Sequence, residues 1–127
     1  MGIKRVLLVE DDDALREVIK RQLTRWGYLF VEASNAAGAL ECVRTLSEPV
    51  DLLLTDLVMP GIDGRALATK VLETWPATKV LFMSGYTEHA AVKTAKLGPR
   101  DELIAKPFTL VGLSTAILRA LDGHEQT

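Results

Sequence analysis

Cysteine and histidine are scarce in this sequence, and their scarcity excludes several kinds of site. The 127 residues include one cysteine, Cys42, so no disulfide can form within the chain; this is typical of proteins from reducing compartments. The two histidines, His89 and His124, have no histidine or cysteine partner at the spacing of a zinc site. The sequence therefore argues against a disulfide-stapled fold and a zinc centre.

Long apolar runs and an excess of basic charge are also missing. No stretch approaches the roughly 18 consecutive apolar residues of a membrane-spanning helix, and no signal-peptide pattern precedes the first apolar run. The chain has 15 Lys and Arg against 17 Asp and Glu, a net charge of −2 and a pI ≈ 5.7. Because nucleic-acid binding needs a basic footprint, we expect a cytoplasmic protein without membrane insertion or direct nucleic-acid contact.

Short apolar runs alternate with amphipathic segments along the chain. The runs predict buried strands and the segments predict helices. The predicted strands are Ile3–Val9, Tyr28–Glu32, Val50–Thr55, Lys79–Met83 and Leu103–Ala105. The predicted helices are Ala14–Trp26, Ala36–Leu46, Arg65–Trp75, a weak one at Glu88–Lys96, and Leu110–Leu121. This alternation predicts an α/β fold, a doubly wound parallel sheet flanked by helices on both faces, in one domain over residues 1–127.

Cap residues and apolar stripes refine the predicted helices. Asp13 is predicted to cap the first helix, Gly27 to end it, and Ser34 or Asn35 to cap the second. The stripes should face the sheet. They comprise Leu15, Val18, Ile19 and Leu23 in the first helix, Leu40 and Val43 in the second, and Leu113, Ile117, Leu118 and Leu121 in the last.

Polar side chains follow four of the five apolar runs. Glu10 and Asp11 follow the first, Asp56 the third, Ser84 the fourth and Lys106 the fifth. Because ligand sites in parallel sheets form outside the carboxyl ends of the strands, these groups should converge on one edge. Three carboxylates repel one another unless a cation offsets the charge, and hard oxygen ligands suit Mg²⁺. The sequence therefore predicts a magnesium site at this edge.

The lysine and the hydroxyl indicate an anionic companion for the metal. An ammonium, a hydroxyl and a divalent cation around one carboxylate are what a phosphoryl group needs. The central carboxylate, Asp56, can act as a nucleophile and carry an aspartyl phosphate. Pro107 cannot extend a strand and forces a turn, with a cis bond as one option, which fixes where Lys106 points.

Ordinary roles and other classes of protein are the alternatives. Asp12 and Asp13 suit a solvated acidic turn and a helix N-cap, and Lys106 or Ser84 alone could be a surface or turn residue. A haloacid-dehalogenase-type phosphatase needs a second acid two residues after its nucleophile, where this chain has Val58. A calcium-binding EF-hand loop needs alternating acids, a central glycine and a terminal glutamate, which the stretch after Asp11 lacks.

Taken together, these motifs resemble the receiver domains of two-component response regulators, from Lys4 to about Leu121. The resemblance is carried by LVED at 8–11, LTDLVMPGIDG at 54–64, FMSG at 82–85 and KPF at 106–108. It implies a flavodoxin-like fold with strand order 2-1-3-4-5. It also implies a signalling domain that catalyses its own phosphorylation and dephosphorylation, rather than an enzyme acting on separate substrates.

The resemblance also implies a ligand set for the metal. Asp11, Asp56 and the backbone carbonyl of Val58 would ligate Mg²⁺, with Glu10 acting largely through water.

The other site residues would handle the phosphoryl group. Asp56 would accept it from a phosphohistidine on a histidine kinase or a histidine phosphotransfer domain. Lys106 would bind the phosphate, and Ser84 would be the switch hydroxyl.

Partners and departures complete the expectations. The strings at 79–87 and 106–109 most resemble receivers attached to hybrid histidine kinases, and a monomer or a phosphorylation-linked dimer is expected. The family often has an aromatic residue where this chain has Leu103, and Gly98-Pro99 should shorten the fourth helix. A phosphorylation-independent pseudo-receiver that serves only as an interaction module is the alternative function.

The resemblance generates a prediction about the lifetime of the phosphoryl group. Val58, two residues after Asp56, and Tyr86, two after Ser84, flank the expected entry of a hydrolytic water, and both are bulky. Because Val58 cannot orient water, self-dephosphorylation should be slow, and Val58→Asn and Tyr86→Glu should each lose the group several-fold faster. Intact mass followed over time after removal of the phosphodonor measures this. Fast loss from the wild type that neither substitution changes would contradict it.

Overall fold

A computed structural model describes residues 2–85 and 101–122 of the chain. Its sheet has five parallel strands in the order β2-β1-β3-β4-β5. The strands are β1 (Arg5–Val9), β2 (Leu29–Ala33), β3 (Leu52–Asp56), β4 (Lys79–Gly85) and β5 (Glu102–Lys106). The described helices are α1 (Asp13–Arg25), α2 (Ala36–Thr45), α3 (Gly64–Thr74) and α4 (Leu110–Asp122). The predicted doubly wound parallel sheet and its strand order are confirmed.

The core lies in two layers, one on each face of the sheet. The helices α2 and α3 cover one face, where Leu7, Leu53 and Phe82 of the central strands are fully buried. The helices α1 and α4 cover the other face, over Leu8 and Leu54. Alternate residues of each strand thus point to opposite layers, which is why the central strands read as continuous apolar runs.

The edge strands are less buried than the sequence predicted. Ala33 is the one buried residue of β2, and Glu102 is the one buried residue of β5. An edge strand has one neighbour, so its side chains lack cover on one flank. The predicted boundaries also shift: β1 begins at Arg5 rather than Ile3, and β4 continues to Gly85. A strand extends as far as its neighbours offer backbone partners, which its own sequence does not specify.

The helix caps confirm some of the predicted positions and correct one. Asp12, not Asp13, caps α1: its backbone is extended and its carboxylate accepts from the Leu15 amide at 3.0 Å. Asp13 is already helical, and its carboxylate, 87% exposed, pairs with Arg16. An N-cap must have non-helical dihedrals while its side chain reaches back to a free amide, and only Asp12 satisfies both conditions. Gly27 follows α1 at φ 89, as predicted.

The remaining helix predictions hold with two corrections. Asn35 caps α2 and accepts from the Gly38 amide at 2.7 Å. Val18 and Leu118, predicted to face the sheet, are 44% and 55% exposed. The predicted residues Ile19 and Leu23 of α1 and Leu113 and Ile117 of α4 are buried, and in α4 the alanines at 116 and 120 share the inward face.

Some predicted features lie outside the described residues. These are the weak helix at Glu88–Lys96, Tyr86, the Gly98-Pro99 break and both histidines. The Lys106–Pro107 bond is cis, the option raised by the sequence. Within residues 2–85 and 101–122, no helix has the length and apolar character needed to span a bilayer.

Gly64, the first residue of α3, lies against the backbone that ends β3. A Cβ on Gly64 would be 2.0 Å from the carbonyl oxygen of Asp56 and 2.9 Å from the Cα of Leu57. The Gly64 amide donates to the Leu57 carbonyl at 2.7 Å. Glycine therefore allows α3 to begin directly against the carboxyl end of the central strand.

Alanine at position 64 should be strongly destabilising. The added methyl group overlaps backbone atoms that cannot rotate away, so Gly64→Ala should lower the free energy of unfolding by about 3 kcal/mol. Gly38→Ala in α2 is the matched control, since the added Cβ would be 3.4 Å from its nearest neighbours, the side chains of Ala33 and Asn35. There a gain of about 0.5 kcal/mol from helix propensity is expected. Urea denaturation followed by circular dichroism measures both, and equal effects would contradict the steric argument.

Candidate functional site

The register of the sheet brings the predicted polar residues to one edge. Val9 lies beside Thr55, Asp56 beside Met83, and Gly85 beside Lys106. Because the strands are parallel, their carboxyl ends lie on the same side. This places the five predicted groups together, with the correction that three of them belong to strands rather than to the following loops: Asp56 at the end of β3, Ser84 in β4 and Lys106 at the end of β5.

One lysine ammonium joins two buried carboxylates at this edge. The Nζ of Lys106 donates to Oδ1 of Asp56 at 2.7 Å and to Oε1 of Glu10 at 2.9 Å. The side chain of Glu10 is fully buried and that of Asp56 is 4% exposed. Buried charges are tolerated when they are paired and hydrogen-bonded, so this ion pair is what permits the two carboxylates to lie inside the sheet edge.

The third carboxylate gives the cluster its open side. Glu10, Asp11 and Asp56 each offer one carboxylate oxygen, and these oxygens lie within 4.8 Å of one another. Asp11 is exposed whereas the other two are buried, so the cluster faces solvent in one direction. An all-oxygen donor set that is accessible to water fits Mg²⁺, which keeps several water ligands in proteins.

The single ammonium of Lys106 only partly compensates the two buried carboxylates. Burial raises the pKa of Asp56 to about 7, and the neighbouring Glu10 carboxylate adds to the rise, while the hydrogen bond from Lys106 opposes it. Burial lowers the pKa of Lys106, but its hydrogen bonds to Asp56 and Glu10 outweigh this and the net pKa is raised. The lysine therefore stays protonated, and one lysine does not fully offset the buried acids.

Backbone groups hold Asp56 in place. The amide that follows it, that of Leu57, donates to the Met83 carbonyl at 2.8 Å. The amide of Asp11 approaches Oδ2 of Asp56 at 3.4 Å, a long hydrogen bond on the side of the carboxylate away from Lys106. The carboxylate is therefore fixed between a strand neighbour, an ammonium and an amide.

The remaining predicted residues differ in how closely they join this cluster. Ser84 is buried, and its hydroxyl donates to the carbonyl of Gly85 at 3.2 Å. The side chain of Val58 is 41% exposed, and its carbonyl as a metal ligand stays a prediction. Arg16 was not among the predicted site residues, yet its Nη1 donates to the Glu10 carbonyl at 2.7 Å. Its position one turn after an acidic N-cap was the available signal.

Comparison with known proteins gives the site a family context. A family profile described as the response regulator receiver domain matches residues 6–118. The response regulator receiver protein CpdR of Brucella abortus (strain 2308) is 38% identical over 120 residues, which are 94% of this chain and 98% of CpdR. A solved response regulator receiver protein from Sinorhizobium medicae WSM419 superposes with a TM-score of 0.83 at 28% identity, covering 98% of each chain.

A second relative is much longer than this chain. The sensor kinase CckA of Brucella abortus (strain 2308) is 37% identical over 124 residues. The match covers 98% of this chain but 13% of CckA, so this chain corresponds to a small part of that protein.

The buried acid should make the metal-free protein less stable as the pH rises. Because folding raises the pKa of Asp56 from its ordinary value of 3.8 to about 7, the folded protein holds the proton that the unfolded chain releases. The free energy of unfolding should therefore fall between about pH 4 and pH 7. Asp56→Asn removes this fall and, in chelator at about pH 7.5, should be on the order of 2 kcal/mol more stable than the wild type.

The measurement is urea denaturation at several pH values in the presence of EDTA. Asp51→Asn is the matched control, because Asp51 immediately precedes β3, at the end away from the site, and its carboxylate accepts from the Arg5 amide at 2.8 Å. The control should retain the fall in stability between about pH 4 and pH 7. A wild type whose stability rises over this range, in parallel with Asp56→Asn, would contradict the raised pKa.

Proposed function

We propose that this chain, which belongs to the response regulator receiver domain family, accepts a phosphoryl group on the carboxylate of Asp56. A receiver domain of two-component systems is a signalling domain, and the proposal concerns which residues carry its chemistry. The observation that supports it most is the environment of Asp56: a buried nucleophile at a sheet edge, 2.7 Å from an ammonium and beside two further acids.

The proposed transfer is a displacement at phosphorus. A carboxylate oxygen of Asp56 attacks the phosphorus of a phosphohistidine, the new O–P bond forms as the P–N bond breaks, and the leaving imidazole takes a proton from solvent. Lys106, already at hydrogen-bond distance from Asp56, is positioned to neutralise a phosphoryl oxygen. The amide of Asp11 helps to hold the attacking carboxylate in a fixed direction.

The acid cluster would hold Mg²⁺. Glu10, Asp11 and Asp56 supply carboxylates, and the backbone carbonyl of Val58 would complete the protein ligands, with Glu10 acting largely through water. When bound, the ion offsets the carboxylate charge and stabilises the negative charge on the transferred group. The chain thereby catalyses its own phosphorylation and, with water as acceptor, its own dephosphorylation.

Ser84 is the residue that would report the modification. Its hydroxyl is bonded to the Gly85 carbonyl at 3.2 Å, and a phosphoryl oxygen on Asp56 would be a stronger, charged acceptor. Exchange of partners would move the end of β4 and shift the population of one face of the domain. Leu103, half-buried against the core on the α2–α3 side, would repack in place of an aromatic residue.

The donor and the setting follow from the family. A phosphohistidine on a histidine kinase or on a histidine phosphotransfer domain would be the donor, and the likeness to part of the sensor kinase CckA supports attachment to a hybrid kinase. Phosphorylation would change the surface that binds partners. The domain would act in the cytoplasm, as a monomer or as a phosphorylation-linked dimer.

Incubation with acetyl phosphate tests the acceptor directly. The wild type should gain one phosphoryl group in a Mg²⁺-dependent manner, because the metal offsets the excess negative charge of the carboxylates. Asp56→Asn should gain none, since an amide is not a nucleophile of this kind. Intact-mass analysis measures the adduct.

Asp51→Asn is the control, because it changes the same residue type immediately before β3, at the end away from the site, and should be modified like the wild type. An unmodified but folded wild type would favour the phosphorylation-independent interaction module. Modification that persists in Asp56→Asn would place the acceptor elsewhere.

A further inference from the structure

We propose that Arg16 is a positioning residue that orients the Glu10–Asp11 peptide, and with it the carboxylates of Glu10 and Asp11, toward Asp56. This rests on the proposed function in one respect: the ion held by the cluster is taken to be Mg²⁺. The hydrogen bonds of Arg16 go to Asp13, Glu32 and the Glu10 carbonyl, so it acts on the backbone that carries two of the cluster's carboxylates.

The side chain of Arg16 is immobilised by three partners. Its Nη1 donates to the Glu10 carbonyl at 2.7 Å, its Nη2 to Oδ1 of Asp13 at 2.7 Å, and its Nε to Oε1 of Glu32 at 3.1 Å. It is 14% exposed although it lies on a surface helix. A planar guanidinium with all three nitrogens engaged has little freedom left, so the position of the Glu10 carbonyl is tied to α1 and to β2.

The geometry of a peptide group transmits this constraint to Asp56. The carbonyl of Glu10 and the amide of Asp11 belong to one planar unit, and in a trans peptide they point in opposite directions. Arg16 holds the carbonyl on the outer side, and on the inner side the Asp11 amide approaches Oδ2 of Asp56 at 3.4 Å. Rotation of this plane would turn the amide away from Asp56.

The same peptide sets the origin of two carboxylates. The side chains of Glu10 and Asp11 leave the backbone on either side of it, and Oε2 of Glu10 is further held by the Asp12 amide at 2.9 Å. The three acidic oxygens lie within 4.8 Å of one another only while this turn keeps its shape. Loss of the Arg16 contact should therefore spread the cluster and weaken its hold on a cation.

Lys20 provides a comparison that separates position from charge. It lies one turn further along α1, carries the same charge and binds the same Glu32 at 2.8 Å, with Glu17 as its other partner at 2.8 Å. Removing a positive charge near an acidic site should by itself strengthen cation binding, because repulsion is lost. A positioning role for Arg16 predicts the opposite sign.

The test measures Mg²⁺ binding by calorimetry for the wild type, Arg16→Gln, Arg16→Lys and Lys20→Gln. Arg16→Gln should bind Mg²⁺ about tenfold more weakly, and Lys20→Gln should bind as tightly as the wild type or slightly more tightly. Arg16→Lys keeps the charge but lacks the fork, so it should recover part of the loss. Arg16→Gln binding as tightly as Lys20→Gln would overturn the proposal.

A second readout needs neither metal nor phosphorylation. In the metal-free protein, the amide proton of Asp11 should shift in Arg16→Gln and in Arg16→Lys, and stay unchanged in Lys20→Gln, as measured by ¹H–¹⁵N NMR. An unshifted Asp11 resonance in both Arg16 variants would overturn the proposal even if the wild type is phosphorylated normally. Failure of the wild type to be modified by acetyl phosphate would instead contradict the proposed function and leave the amide shift to decide the role of Arg16.

Discussion

The ammonium of Lys106, held between the buried carboxylates of Asp56 and Glu10, is the interaction on which the site depends. Without it, two negative charges would lie in a poorly solvated sheet edge with no cation beside them, which proteins avoid by protonation or rearrangement. With it, the carboxylates stay close, although the burial of Asp56 and, to a lesser degree, the neighbouring Glu10 carboxylate still raise the pKa of Asp56. A site of this kind favours the binding of a cation and, together with that cation, of an oxyanion.

The parallel sheet makes it possible to hold these charged side chains close together. Parallel strands packed on both faces present their carboxyl ends together, and the central strand β3 is buried along its whole length before ending at Asp56. Gly64 brings the start of α3 against the same point. The strong apolar layers on either side supply the stability that a cluster of like charges removes locally.

The residues around Asp56, the proposed phosphoryl acceptor, have two kinds of role: some carry charge, and others orient the groups that face Asp56. Lys106 and the acids carry the charge, whereas the peptide between Glu10 and Asp11 aims an amide at Asp56. Arg16 stabilises that peptide from the solvent side through its contact with the Glu10 carbonyl. The sequence similarity to CpdR over nearly its whole length and to a small part of CckA fits a small domain that occurs in proteins of different length.

The sequence by itself determined the architecture and the members of the site. Alternating apolar runs and amphipathic segments are local, periodic signals, and a polar residue at the end of a run marks the edge where Glu10, Asp56 and Lys106 must meet. Tertiary structure alone decided what those residues do to one another. Lys106 and Glu10 are 96 residues apart in sequence, and no local pattern encodes which carboxylate an ammonium will reach. The Asp12 cap is a local matter, since α1 begins one residue earlier than predicted. Tertiary structure did decide that Val18 faces solvent and that Arg16 reaches the Glu10 carbonyl, because both depend on distances between elements that form only when the sheet and its helices pack.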